Sequence, residues 1–257
     1  YMLPPLARLP QLQRIIDQQG YFVLHAPRQT GKTTAMISLA KTLTDSGRYA
    51  AVMVSVEVGA VFPGNIDAAE LAILSAWRDT AQFRLPDNLQ PPPQLDSSPG
   101  TRIGSFLKTW AQQSTRPLVV FIDEIDSLQD NVLLSVLRQL RDSYPSRPEN
   151  FPHSLALIGL QDVRDYKVAS GGSDRLNTAS PFNIKVKSLT LQNFTAADVA
   201  GLYQQHTNDT SQPFTSAAIA QAFSLTQGQP WLVNAIAKEV VEELVSDGLT
   251  PIKVSHI

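Results

Sequence analysis

Ala26-Pro-Arg-Gln-Thr-Gly-Lys-Thr-Thr34 is the stretch on which the fold turns. Its Gly31-Lys32-Thr33 fits the end of the pattern G-x-x-x-x-G-K-[ST]. Before it, Tyr21–His25 is a short aromatic and β-branched run suited to a buried strand. After it, residues 32–44 place Ala35, Met36, Leu39, Ala40 and Leu43 at helical spacing. Strand, glycine turn and helix in that order point backbone amides and the positive end of a helix dipole at one place, which is a seat for phosphate. There Lys32 would neutralise charge on the β- and γ-phosphates and the Thr33 hydroxyl would ligate magnesium, while Thr34 would reach the α-phosphate.

Ala26 departs from the pattern, which has glycine at that position. A positive φ there would cost alanine on the order of 1 kcal/mol. An ordinary negative φ would require only that a methyl group be accommodated, and this second arrangement is the one expected.

A second motif lies downstream. Leu118-Val-Val-Phe-Ile-Asp-Glu-Ile-Asp126 is an apolar strand ending in acid, the form of a Walker B strand. Asp123 would hold magnesium through water or by helping to orient Thr33. Glu124 would polarise an attacking water as general base, which separates a hydrolase from a mere nucleotide binder. The plainer alternative is a buried strand closed by two solvated acids. About 90 residues separate Lys32 from Asp123, room for a further helix–strand unit. That spacing matches the phosphate-loop subclass with strand order 5-1-4-3-2, whose carboxyl strand ends form the site.

The remaining pattern alternates strand and helix, as a parallel α/β sheet requires. Strands are expected at Ala50–Val58, Leu155–Leu160 and Phe182–Val186, and helices over 66–84, 101–113 and 129–142. In the first of these helices Leu71, Ile73, Leu74 and Trp77 are the expected packing positions, and in the last Leu133, Leu134, Leu137 and Leu140. Proline-rich Leu85–Gly100 reads as a surface excursion. From about residue 190 only helices are expected, at 195–206, 215–224 and 231–246, the first capped by Thr195. The fold class is therefore α/β: a three-layer sandwich around a five-stranded parallel sheet, followed by a small helical lid. The expected division is 1–189 as core, with an N-terminal segment covering the base, and 190–257 as lid.

Composition sets the outer limits. The chain has 257 residues, 43% of them hydrophobic and 17% charged, with formal net charge −2. Nothing in that balance draws the protein to nucleic acid. With no cysteine there is no disulfide, thiolate ligand or thiol nucleophile, and a cytoplasmic protein is the simplest expectation. His25, His153, His206 and His256 show no zinc-like spacing. No apolar run approaches the roughly 18 residues that span a bilayer. Because the chain begins on Tyr1, it reads as a domain excised from a longer protein, with a partner or fused effector domain beyond it.

With these motifs in hand, the chain resembles AAA+-like and STAND-type P-loop ATPases, above all bacterial AAA-like domains carrying His-Ala-Pro-Arg-Gln-Thr-Gly-Lys-Thr-Thr, here His25–Thr34. The resemblance implies ATP and Mg2+ as cofactors, a nucleotide seat at Ala26, Pro27, Arg28, Gln29, Thr30, Gly31, Lys32, Thr33 and Thr34, and a sensor after the fourth strand. In the sensor's place stands Ile158-Gly-Leu-Gln-Asp-Val-Arg164, where Gln161 would orient water and Arg164 would touch the γ-phosphate or form a structural salt bridge. Gly228-Gln229-Pro230 resembles the family's Gly-x-Pro lid element, which implies Pro230 near adenine, the alternative being an ordinary loop-to-helix turn. Tyr1–Arg8 occupies the place of the segment that covers the base, with Pro4, Pro5 and Arg8 as candidates. Arg175 is either a finger acting on a neighbouring subunit of a homo-oligomer or a surface arginine, and Glu57 ends the second strand near the same cleft. Two functions fit: an ATP-driven conformational switch in which hydrolysis changes the contacts between core and lid, or a nucleotide-stabilised interaction module with little turnover. The absence of Asn-Lys-x-Asp speaks against a GTPase.

Overall fold

In the computed structural model, which describes Tyr1, Leu3 and residues 8–93, 96–161, 184–185 and 187–257, five parallel strands form one sheet. They are β1 (Tyr21–His25), β2 (Ala50–Ser55), β3 (Leu118–Asp123), β4 (Ser154–Gly159) and β5 (Lys187–Thr190). Their order is β2-β3-β4-β1-β5, the expected 5-1-4-3-2 seen from the other edge. β3 and β4 are buried along their whole length, because interior strands of a parallel sheet are covered on both faces. The register pairs Ser55 with Asp123 and His25 with Gly159, so the ends that carry the two motifs lie on one rim.

Helix α1 (Leu12–Asp17) precedes β1, and α2 (Lys32–Asp45) buries the five residues named from its periodicity. Then come α3 (Ile66–Arg84), α4 (Arg102–Gln113) and α5 (Asp130–Ser143). Trp77, Phe106 and Trp110 are fully buried between these helices and the sheet. The last part of the chain is helical: α6 (Ala196–Thr210), α7 (Ser216–Thr226) and α8 (Pro230–Glu239), which continues as a π turn Val240–Leu244. Thr195 caps α6 in a reciprocal capping box with Asp198.

By contact the chain divides into two units. One holds the sheet, Leu9–Ala26 and Lys32–Thr190. The other holds Tyr1–Arg8, Pro27–Gly31 and Leu191–Ile257, with its own core around Val199, Tyr203, Phe214 and Val233.

Several expectations need correction. The second strand stops at Ser55 rather than Val58, because Glu57–Val61 turns into a 3-10 helix and the Trp77 indole donates to the Ser55 carbonyl at 2.8 Å. Leu71 is exposed, and Glu70 takes the inner position one residue earlier. There the carboxylate is wholly buried and accepts from the Gly100 amide and the Gln139 side chain. In α5 it is Val132, Val136, Leu137 and Leu140 that are buried, while Leu133 and Leu134 are half-buried. Leu85–Gly100 is no free excursion: Leu85 and Leu89 are buried and the Trp110 indole donates to the Leu89 carbonyl at 2.9 Å. The fifth strand runs over Lys187–Thr190, with Ile184 in a turn before it, rather than over Phe182–Val186; Phe182, Asn183 and Val186 lie outside the described residues. It pairs with β1 from Phe22 to His25, and of its four residues Leu189 alone is buried, which gives no continuous apolar run to find.

β2 forms the other edge, and side chains close it. The Thr44 hydroxyl both donates to the Ala51 carbonyl and accepts from the Ala51 amide, each at 3.0 Å, while Trp77 takes Ser55. This leaves Met53 as the outward-facing residue between two occupied positions, a way of preventing edge-to-edge association. Thr44→Val keeps the volume and removes both bonds. It is expected to lower stability by about 1–3 kcal/mol, read as a lower denaturant midpoint at unchanged slope, and an unshifted midpoint would show that the edge needs no such cap.

Candidate functional site

The site begins where β1 ends. Ala26 is buried and its amide donates to the Gly159 carbonyl at 3.3 Å, so the chain leaves the sheet still paired with β4. Its φ is negative, as expected, and the methyl group is accommodated inside the fold. Left-handed geometry appears instead at Gln29 (φ 62°) and Gly31 (φ 82°). Gly31 is thus the position where glycine is required, while Gln29 adopts the conformation at some cost. Between them the buried Thr30 donates its hydroxyl to the Pro27 carbonyl at 2.9 Å and closes the bend. Pro27, Arg28 and Gln29 are exposed.

Helix α2 opens with Lys32, whose Nζ donates to the Ala26 carbonyl at 2.7 Å. The Thr33 hydroxyl donates to Asp123 Oδ2 at 2.8 Å, joining the first motif to the second. The other oxygen, Oδ1, accepts from the Glu124 amide at 2.9 Å. Hydroxyl and carboxylate side by side are the hard oxygen donors that magnesium takes, so these residues fit the ion. Thr34 is exposed on the first turn of α2.

Glu124 itself stands at φ 56° and ψ 36°, a left-handed conformation that a glutamate rarely adopts. It ends β3 sharply and starts the 3-10 turn Ile125–Ser127. Burial raises its pKa first, then the negative charges of Asp123, Asp126 and Glu57, with Lys32 pulling the other way. The pKa of Asp123 is also raised, mainly by burial, against the Thr33 and Glu124 hydrogen bonds and Lys32. Asp126 and Glu57 thus belong to the electrostatic surroundings of the site. Asp126 was visible in its motif without a role, and one of its oxygens, Oδ1, is buried with no hydrogen-bond partner among the described residues.

Gln161 follows β4 and is exposed. Arg164 and Arg175 lie outside the described residues, as do Pro4 and Pro5. Pro230 is buried at the first position of α8, whose cap Gln229 accepts from the Leu232 amide at 2.7 Å. Before it, Gly228 (φ 70°) pairs through its carbonyl with the Phe194 amide at 2.8 Å. A Cβ on Gly228 would fall 1.9 Å from the Phe194 carbonyl oxygen. Gly228→Ala therefore adds a steric overlap to a left-handed penalty of roughly 1–2 kcal/mol. The expected result is early unfolding of residues 191–257, seen as faster amide exchange there, and unchanged exchange would refute the close approach.

Arg8, one of the candidates in the segment expected to cover the base, binds the backbone of this loop. Both terminal nitrogens of its guanidinium donate to the Thr30 carbonyl at 3.3 Å, and Nη2 also donates to the Gln192 carbonyl at 2.6 Å.

A parallel sheet in this order, with a lysine–threonine pair after a left-handed glycine and an aspartate on the strand two places away, defines a P-loop ATPase of the AAA-like class. The AAA-like domain family matches residues 8–247, and the chain belongs to that family. Among solved structures it is similar to the Thermotoga maritima RuvB Holliday junction branch migration motor, with 15% identity, a TM-score of 0.54, and coverage of 97% of this chain and 64% of that one. It is also similar to a Walker-type ATPase of Pyrococcus abyssi, with 13% identity, a TM-score of 0.64, and coverage of 96% and 69%. For the Aeropyrum pernix ORC2 protein, described in ADPNP–ADP complexes, the values are 14%, 0.56, 98% and 63%. At such identities the likeness is one of fold, and the chain corresponds to a part of each of these longer proteins. No curated protein matches it. Among the described residues no helix is long and apolar enough to cross a membrane.

Proposed function

We propose that the protein binds ATP with magnesium and hydrolyses it, serving as a conformational switch of the AAA+/STAND type. The observation that carries this is the 2.8 Å hydrogen bond from Thr33 to Asp123, which joins two motifs 90 residues apart in the arrangement that a nucleotide-bound cation needs. Thr33 and Asp123 would hold the magnesium ion, whose chemistry is to polarise phosphoryl oxygens. Lys32 leaves the Ala26 carbonyl to neutralise the β- and γ-phosphates, and the amides of the loop through Thr34 receive the remaining oxygens. Glu124 takes the proton of the attacking water. Gln161 and Arg164 are assigned to sensing the γ-phosphate and Pro230 to packing near adenine, by family resemblance. On the same basis residues 1–189 act as the ATPase core and 190–257 as its lid. RuvB is described as a motor; for this chain, ATP-dependent action on a protein partner or a fused domain belongs to the same proposal.

The test is a calorimetric titration with Mg-ATP alongside a phosphate-release assay. Binding with magnesium-dependent release supports the switch. Binding without release leaves the interaction module, and no binding removes both.

A further inference from the structure

Arg8 sits at the meeting of three backbone segments within one unit. Its guanidinium grips the Thr30 carbonyl through both terminal nitrogens and the Gln192 carbonyl through Nη2, and it lies over the Phe194 ring at 4.7 Å from the centroid. Phe194 in turn pairs with Gly228, immediately before the Gln229 cap and Pro230 of α8. One planar group therefore connects the phosphate loop to the residues that open the lid helices.

The consequence follows from peptide geometry. In a planar trans peptide the C=O and the N–H point in opposite directions. Holding the Thr30 carbonyl fixes the direction of the Gly31 amide on the same peptide, and that amide belongs to the phosphate-receiving bend between Gln29 and Gly31. A phosphate that draws on the Gly31 amide polarises the Thr30 carbonyl and strengthens its bond to Arg8. We propose that Arg8 is a positioning residue that couples nucleotide occupancy of the loop to residues 191–257 through Gln192, Phe194 and Gly228. This coupling rests on the ATP-binding function proposed above. A lysine cannot substitute, because it is a point charge without the planar fork that bridges two carbonyls and stacks on a ring.

Amide exchange of the whole chain, with and without Mg-ATP, tests the coupling in wild type, Arg8→Lys and Arg8→Ala. In the wild type, ATP is expected to slow exchange around 192–198 and 226–234 by about 5-fold or more, the lower end of usual coupling between sites. In Arg8→Lys that slowing is lost. By reciprocity ATP affinity falls by the same factor rather than being abolished. Retention of the slowing in Arg8→Lys would show that charge alone suffices and overturn the proposal. Wild-type ATP binding without any slowing would overturn the coupling and leave the ATPase function standing, whereas absent binding would remove both. If both Arg8 variants unfold, Phe194→Leu removes the stacking surface and leaves both carbonyl bonds. Partial loss of the slowing in that variant supports the coupling, and unaltered slowing overturns it.

Discussion

Glu124→Gln is expected to bind ATP as the wild type does and to release phosphate about 10²- to 10⁴-fold more slowly, the usual contribution of a positioned general base. Glutamine keeps the volume but cannot accept the water's proton. The location of Glu124 supports this role more than its residue type does. A left-handed glutamate costs on the order of 1–3 kcal/mol and persists only where its surroundings enforce it. The enforcement is visible: the Glu124 amide is tied to Asp123 Oδ1 at 2.9 Å, and the Ser127 amide returns to the Glu124 carbonyl at 2.9 Å. A single-turnover measurement of phosphate release, with affinity measured separately, decides the matter. Unchanged release would assign the proton to another group and reduce Glu124 to a strand terminator.

Lys32→Ala is the complementary case, in which binding itself fails. The ammonium makes a 2.7 Å bond to the Ala26 carbonyl, and in the proposed function it would exchange that neutral partner for phosphate oxygens. Charge-assisted hydrogen bonds are worth about 1.5–3 kcal/mol each, so ATP affinity should fall by about 10- to 100-fold for each one lost, and turnover with it. The variant also removes the positive charge that opposes Asp126 and Glu57 at Glu124. The two variants thus separate cleanly, one altering rate at constant affinity and the other altering affinity. Wild-type affinity in Lys32→Ala would exclude the loop as the phosphate seat.

Legibility in the sequence followed the range of the forces involved. Helix α2 was readable residue by residue because its buried face repeats every turn, and β1 and β3 because they are apolar runs bounded by turn and acid. The existence of β5 was readable but its bounds were not: an edge strand of four residues owes its position to pairing with β1, a partner some 165 positions away. Glu70 ran against its residue type for a related reason. Its burial depends on Gly100 and Gln139, which come from other elements and satisfy its oxygens.

The phosphate loop shows the division most clearly. Local sequence determined that a strand, a glycine bend and a helix would follow one another from Tyr21 to Asp45, and that lysine and threonine would stand at the helix start, because glycine, capping and periodicity act over a few residues. It also determined that an apolar strand would end in Asp123-Glu124. Only tertiary structure brought Asp123 to Thr33, because strand order in a parallel sheet is set by packing between distant segments. Only tertiary structure placed Arg8 against Thr30 and Gln192, since a long flexible cation is committed to one pair of carbonyls when both are held at the right separation by the fold around them.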